Sequence, residues 1–217
     1  AGNGKFVRSK FAIAVHYSET ISIYKAMIHQ VLPAIVRELT EYLESRFGIS
    51  DDQLILGNVV NQDGSLAVDG NKLVVSLINI ARDGSKGSVK GFGGNDHPSV
   101  FVNLYVIFAG VYNQSNISSQ DYLESLKMIS GVISFFQGRC MFDAHSTPDF
   151  PADAGKIVCE IENVEFRELV NLWSLSGAKY VPSIIYRFRS LNMEEGLVTD
   201  EMPHVGHFSG LGGIKNR

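Results

Sequence analysis

Cysteine is nearly missing from this chain: two residues in 217, Cys140 and Cys159, and neither sits in a C-x-x-C pair. That excludes the common thiolate metal and redox motifs, and both cysteines are expected as small, reduced, buried side chains in a cytoplasmic protein, in preference to a disulfide. An excess of one charge is missing too, since 19 basic and 23 acidic side chains leave a net −4 and a pI of about 5.9. No basic run exceeds Arg187-Phe188-Arg189. A phosphate backbone therefore finds little to hold, and no nucleic-acid partner is expected. No segment approaches the ~20 apolar residues that span a bilayer, so no membrane partner is expected either. Lys5, Arg8 and Lys10 ahead of a short apolar run imitate a secretory signal, but no clean cleavage site follows. The sequence does not begin with methionine, and residues 1–26 read as an N-terminal extension or a non-native segment ahead of Met27.

The signatures of catalysis are lacking as well. Neither Gly91-Phe92-Gly93-Gly94 nor Gly84-Ser85-Lys86-Gly87-Ser88 fits a phosphate-binding loop, and there is no G-x-S-x-G nucleophile elbow. Metal-ligand residue types crowd in one place, at Asp143, His145, Asp149 and Asp153, on an irregular segment where such clusters are usually solvated. They define the alternative to a structural role: a metal- or small-ligand-binding α/β domain, or an enzyme, using residues 143–153. The preferred reading assigns no catalytic residue, no cofactor and no metal.

What is present is a core. Hydrophobic residues make up 45% and charged residues 19%, which suits one globular domain. Apolar residues at Ile28, Val31, Leu32, Ile35, Val36, Leu39, Tyr42 and Leu43 recur at helical spacing and predict a helix over 21–47. Pro33 should kink it or mark its first turn, and Gly48 should stop it. Strands are predicted over 53–60, 72–81 and 99–112, with turn chemistry at Asn61-Gln62-Asp63-Gly64 and a long polar loop over 84–98. A second helix over 120–136 takes Ser118 or Ser119 as its cap. Its predicted buried face is Tyr122, Leu123, Leu126, Ile129, Val132, Ile133 and Phe136. A strand over 156–161, a short helix over 166–175 and a strand over 180–191 complete the ordered part. In that last strand Val181, Ile185 and Phe188 compete with Ile184 and Tyr186 for the inner face. The order predicts an α+β fold, an α/β sandwich with helices packed on one face of a mixed or antiparallel sheet. From 193 to 217 the chain is glycine-rich and reads as a C-terminal arm, leaving 27–192 as the domain.

Several segments, in this order, carry a resemblance: Asn61-Gln62-Asp63-Gly64, Asn103-Leu104-Tyr105-Val106-Ile107-Phe108, Tyr122-Leu123-Glu124-Ser125-Leu126 and Ile133-Ser134-Phe135-Phe136-Gln137. Leu172-Trp173-Ser174 and Pro182-Ser183-Ile184-Ile185-Tyr186 follow. Together they resemble the tail-cap, or tail-terminator, proteins of extracellular contractile injection systems, the phage-tail-like particles of the antifeeding-prophage and virulence-cassette type. The resemblance implies a phage tail-terminator-like fold and a structural role without catalysis, metal or cofactor. It implies a homo-oligomeric ring, a hexamer, that ends the inner tube and joins it to the last sheath ring. Its partners are then itself, the tube protein and the sheath protein. It implies assembly in the bacterial cytoplasm and residence in the injection particle afterwards.

The residues themselves offer candidates for partner contact. Adjacent helical residues point about 100° apart, so Phe135 and Phe136 are not expected to share one core. One of the two is therefore a candidate contact. Trp173 is a core residue or an interface anchor. Arg187 and Arg189 share one strand face toward solvent or acidic partners, and Phe208 lies in the arm.

Overall fold

The computed structural model of the chain describes residues 28–85, 100–112, 118–177 and 179–193. The predicted helical residues 21–27, the loop over 86–98, Phe208 and the rest of the arm lie outside them.

The first helix, α1 (Ile28–Phe47), runs through Pro33 and buries Val31, Leu32, Ala34, Ile35, Leu39 and Leu43. It stops where predicted. Gly48 takes a left-handed φ of 63°, its amide bonds Glu44 O at 3.1 Å, and the Ile49 amide bonds Leu43 O at 3.3 Å. This pairing satisfies the last carbonyls and folds Ile49 back onto the core.

Six strands follow: β1 (Leu54–Leu56), β2 (Lys72–Arg82), β3 (Val100–Val111), β4 (Met141–Phe142), β5 (Ile157–Ile161) and β6 (Ser183–Met193). They form one mixed sheet in the order β1-β2-β3-β6-β5-β4. β1 runs parallel to β2, and every other pair is antiparallel. The strand predicted over 53–60 is thus cut to three residues. After Leu56 the chain leaves the ladder through Gly57, whose amide still bonds Val75 O at 2.9 Å. It then makes a small hairpin joined at Val60 and Leu66. Asp63 holds the turn by accepting from the Ser65 amide at 2.9 Å and the Ser65 hydroxyl at 2.6 Å.

Two further helices pack on this sheet, α2 (Ser119–Gly138) and α3 (Phe166–Ser176). They lie on opposite faces, which corrects the expectation of helices on one face. Alternation along the strands shows why. Leu73 and Val75 of β2, Leu104, Val106 and Phe108 of β3, and Tyr186 and Phe188 of β6 join α1 and α2 in the larger core. Val74, Ile107, Ala109 and Ile185 point the other way, into a second core closed by Trp173 of α3 and by Val59. The competition among side chains of the last strand is resolved because both of its faces are covered. Irregular pairing between Val102 and Leu104 opposite β6 then returns Leu191 to the larger core.

Candidate assembly surfaces

Helix α2 is where the predicted and observed faces diverge. Its start follows the sequence: Ser118 caps it, the Asp121 amide bonding Ser118 Oγ at 3.1 Å and the Ser118 hydroxyl bonding Asp121 Oδ2 at 2.7 Å. The helix then buries Ser125, Met128, Gly131, Val132, Phe135 and Phe136, leaving Tyr122, Leu123, Leu126 and Ile133 exposed. Of the predicted buried face only Val132 and Phe136 are fully covered, and Ile129 is partly packed. Small side chains explain the rotation. The Ser125 hydroxyl donates to Gly110 O of β3 at 3.0 Å, and Gly131 lets Leu43 of α1 approach. Backbones that close admit little bulk at those points, so the helix seats its Ser125 and Gly131 side inward and Tyr122, Leu123, Leu126 and Ile133 turn outward.

This rotation also corrects the argument about Phe135 and Phe136. Both are buried, at 5% and 3% exposure. The 100° between them is used, because α2 sits in the trough between α1 and the sheet. Phe135 meets Tyr42 of α1 at 5.4 Å between ring centroids, while Phe136 meets Tyr186 of β6 at 4.4 Å and Phe108 of β3 at 5.5 Å. Two directions lead to two walls of one core.

On the opposite side of the sheet, α3 buries Trp173 and leaves much else outside. Trp173 is 5% exposed and meets the Tyr180 ring edge-on at 6.1 Å, so the chain's own second core takes it. Phe166 and Leu175 on the same helix are 81% and 89% exposed, and Val170 joins them. A single exposed leucine needs no explanation, but apolar groups repeated along two helices do.

Beyond α3, the second sheet face is charged. Arg187 Nη2 lies 3.3 Å from Glu160, Arg187 Nε 3.4 Å from Glu162, and Arg189 Nη1 3.1 Å from Glu160. The two arginines share one face, as the alternation predicts, and the acidic groups they meet are the chain's own Glu160 and Glu162. Loss of water pulls the Arg187 guanidinium pKa down, but Glu162, Tyr105 and Glu160 more than offset it, and the net shift is upward.

The residues of the ligand alternative are not assembled into a site. Asp143 accepts from the amides of His145 at 3.1 Å and Ser146 at 2.9 Å and from the Ser146 hydroxyl at 2.8 Å, which lowers its carboxyl pKa, the hydroxyl contributing most. Asp149 pairs with Arg37 of α1. Among the described residues no three side chains of His, Cys, Asp or Glu lie together as a metal site would require. An open apolar groove runs between α1 and β1, lined by Leu32, Pro33, Leu56 and Val75, and among the described residues His29 is its only titratable side chain. No helix among the described residues is long and apolar enough to cross a membrane. The cysteines depart from expectation in one respect: Cys159 is buried but Cys140 is exposed.

Sequence reasoning missed the outward-facing apolar side chains because periodicity assigns every apolar stripe to a core. The available signal was the spacing of Ser125 and Gly131, small residues that mark the side where a helix packs closest.

Comparison with known proteins agrees with this architecture. The profile of the Pvc16 N-terminal domain matches residues 30–206. No curated protein matches the chain. Among solved structures, one described as the sheath/tube terminator of PVC, an extracellular contractile injection system, in its extended state matches with a TM-score of 0.55 and 13% identity, over 89% of this chain and 65% of that one. The anti-feeding prophage cap, described as the AFP tube terminating cap, matches with a TM-score of 0.47 and 12% identity, over 89% of this chain and 63% of that one. The chain thus spans just under two thirds of each of these structures. The likeness to the PVC terminator establishes a shared fold.

Proposed function

The chain belongs to the Pvc16 N-terminal domain family, and from that membership we propose that it is a structural cap of a contractile, phage-tail-like injection particle. In this role it ends the inner tube and joins it to the last ring of sheath, and it catalyses no reaction. The match over residues 30–206 carries the reading, since it covers nearly all of the described fold. The shared fold with a sheath/tube terminator supports it.

The surfaces support the same role. A subunit in a closed ring meets a neighbour on either side, through two different patches that complement each other. Apolar faces on α2 and α3, on opposite sides of one sheet, are what such a subunit needs. In this proposal the partners are further copies of the chain, six to a ring, with the tube protein on one side of the ring and the sheath protein around it. The chain assembles in the bacterial cytoplasm and stays in the particle. Residues 27–192 form the cap domain, and the glycine-rich 193–217, Phe208 included, serve as an arm that reaches a neighbour. Arg187 and Arg189 form the charged border of the α3 side.

The test is particle length. Electron micrographs of particles from a strain lacking this gene should show tubes or sheaths of widely scattered length, restored to one length by the gene in trans. A sharp, unchanged length distribution in the deletion strain would rule the cap out.

A further inference from the structure

Cys140 and Cys159 stand opposite each other across two antiparallel strands. Met141 pairs with Val158 and Phe142 with Ile157, so the register sets Cys140 directly across from Cys159. The Cys159 amide donates to the Cys140 carbonyl at 2.8 Å, which makes them a hydrogen-bonded pair. Directly opposed residues place their side chains on the same sheet face. For this pair it is the face of the larger core, where Phe142, Ile157 and Cys159 are buried. Cys140 lies one residue outside β4, at the rim of that core, and is exposed.

We propose that Cys140 and Cys159 form a reversible cross-strand disulfide, made by exchange with a low-molecular-weight disulfide. A hydrogen-bonded antiparallel pair has its Cα atoms about 5.5 Å apart, inside the range of about 4.4–6.8 Å that a disulfide spans. Its Cβ atoms stand about 5.5 Å apart, at the wide end of the cross-strand range, where a disulfide needs about 4 Å, so closure asks for about 1.5 Å of movement. β4 is a two-residue strand at the edge of the sheet, paired among the described residues with β5 alone, and it is the part best able to yield. A bond closed with some residual strain is more readily reduced than a relaxed one.

The division of labour follows from exposure. The Cys140 thiolate attacks one sulfur of the small disulfide, forms a mixed disulfide and releases one small thiolate. The Cys159 thiolate then attacks the Cys140 sulfur, closing the bond and releasing the second small thiolate. Two thiol protons leave the protein and two electrons pass to the reagent. Burial pushes the Cys159 thiol well up from its ordinary value, so this cysteine is a poor target for reagents in solution. It is reached through Cys140. A reducing cytoplasm keeps the pair open, and an oxidising exterior closes it.

Closure pins the sheet edge at β4 and encloses residues 141–158. That segment is already held at one end by Arg139, which bonds Thr147 Oγ1 at 3.0 Å and pairs with Glu38 of α1. The inference stands apart from the cap reading, and its test requires no assembly.

The test uses the purified full chain, reduced, then incubated with oxidised glutathione at mildly alkaline pH. It is then unfolded, alkylated and weighed intact by mass spectrometry. The expected product has lost two hydrogens, takes up no alkylating reagent and melts about 5 °C higher than the reduced protein. Dithiothreitol should reverse all three changes. Cys140→Ser should leave an alkylatable thiol at Cys159, and Cys159→Ser should stop at the glutathione adduct. A wild-type product that keeps glutathione on Cys140 with Cys159 still alkylatable overturns the proposal, as does a covalent dimer.

Discussion

A methyl group at Gly110 would lie 2.7 Å from Ser125 Oγ and 2.9 Å from the Ser125 carbonyl oxygen, a piece of α2 backbone that cannot step aside. At Gly131 it would lie 2.4 Å from Leu43 Cδ2, the far end of a side chain that can rotate. Gly110→Ala should therefore cost about 3 kcal/mol and Gly131→Ala about 1 kcal/mol, read as the difference in urea unfolding free energy. Equal costs at the two sites would mean that α2 is not seated on β3 through Ser125. A carboxylate sits at the start of the same helix. The Ser118 hydroxyl, and after it Asn71, hold the Asp121 carboxyl below its ordinary value. A lowered folded value stabilises the protein above the unfolded carboxyl range, near pH 4, and that contribution disappears as pH falls through the folded value. Asp121→Asn should thus be less stable than the wild type at neutral pH, with the gap closing below about pH 4 in denaturant titrations run across pH. A gap that stays constant with pH would point to lost geometry at the cap and not to lost charge.

At the scale of elements, α2 is the informative one. Its inner side was legible only in part, because helical periodicity says how apolar positions recur and not which arc is innermost. Met128, Val132 and Phe135 make a consistent inner arc once Ser125 and Gly131 are recognised as the points of closest approach. Tyr122, Leu123, Leu126 and Ile133 then form the outer arc. Replacing Leu123 and Leu126 together by Glu should leave the unfolding midpoint within a few degrees of wild type, because both are exposed. If the proposed ring packs through α2, the same change should abolish the ring-sized species in multi-angle light scattering, since two carboxylates placed in a buried contact are left without water. A doubly substituted chain that still assembles would clear α2 of any part in the interface. By contrast α1 was readable over its described residues: its predicted apolar face is the one that packs inward, and Gly48 ends it. Large aliphatic side chains dominate that face, with Ala34 among them, so hydrophobic spacing settles its orientation.

For the whole molecule, the sequence by itself determined the kinds and order of the elements apart from the two-residue β4, the end of α1 at Gly48, the cap of α2, the long central strands and membership of the Pvc16 N-terminal domain family. These depend on local chemistry: side-chain period, capping hydroxyls, glycines at left-handed turns and the order of short motifs. Only the tertiary structure decided that the sheet is covered on both faces, that β1 runs parallel to β2 and that Phe135 and Phe136 share one core. It also decided that the charges of Arg187 and Arg189 are met by Glu160 and Glu162, and that Cys140 faces Cys159. Each of these is a matter of register or of layer. Both arise from contacts between segments far apart in the chain, where a shift of one residue exchanges inside for outside. The surfaces on which the proposed cap would act belong to this second group. They are whatever the folded core leaves uncovered, and no local pattern marks them.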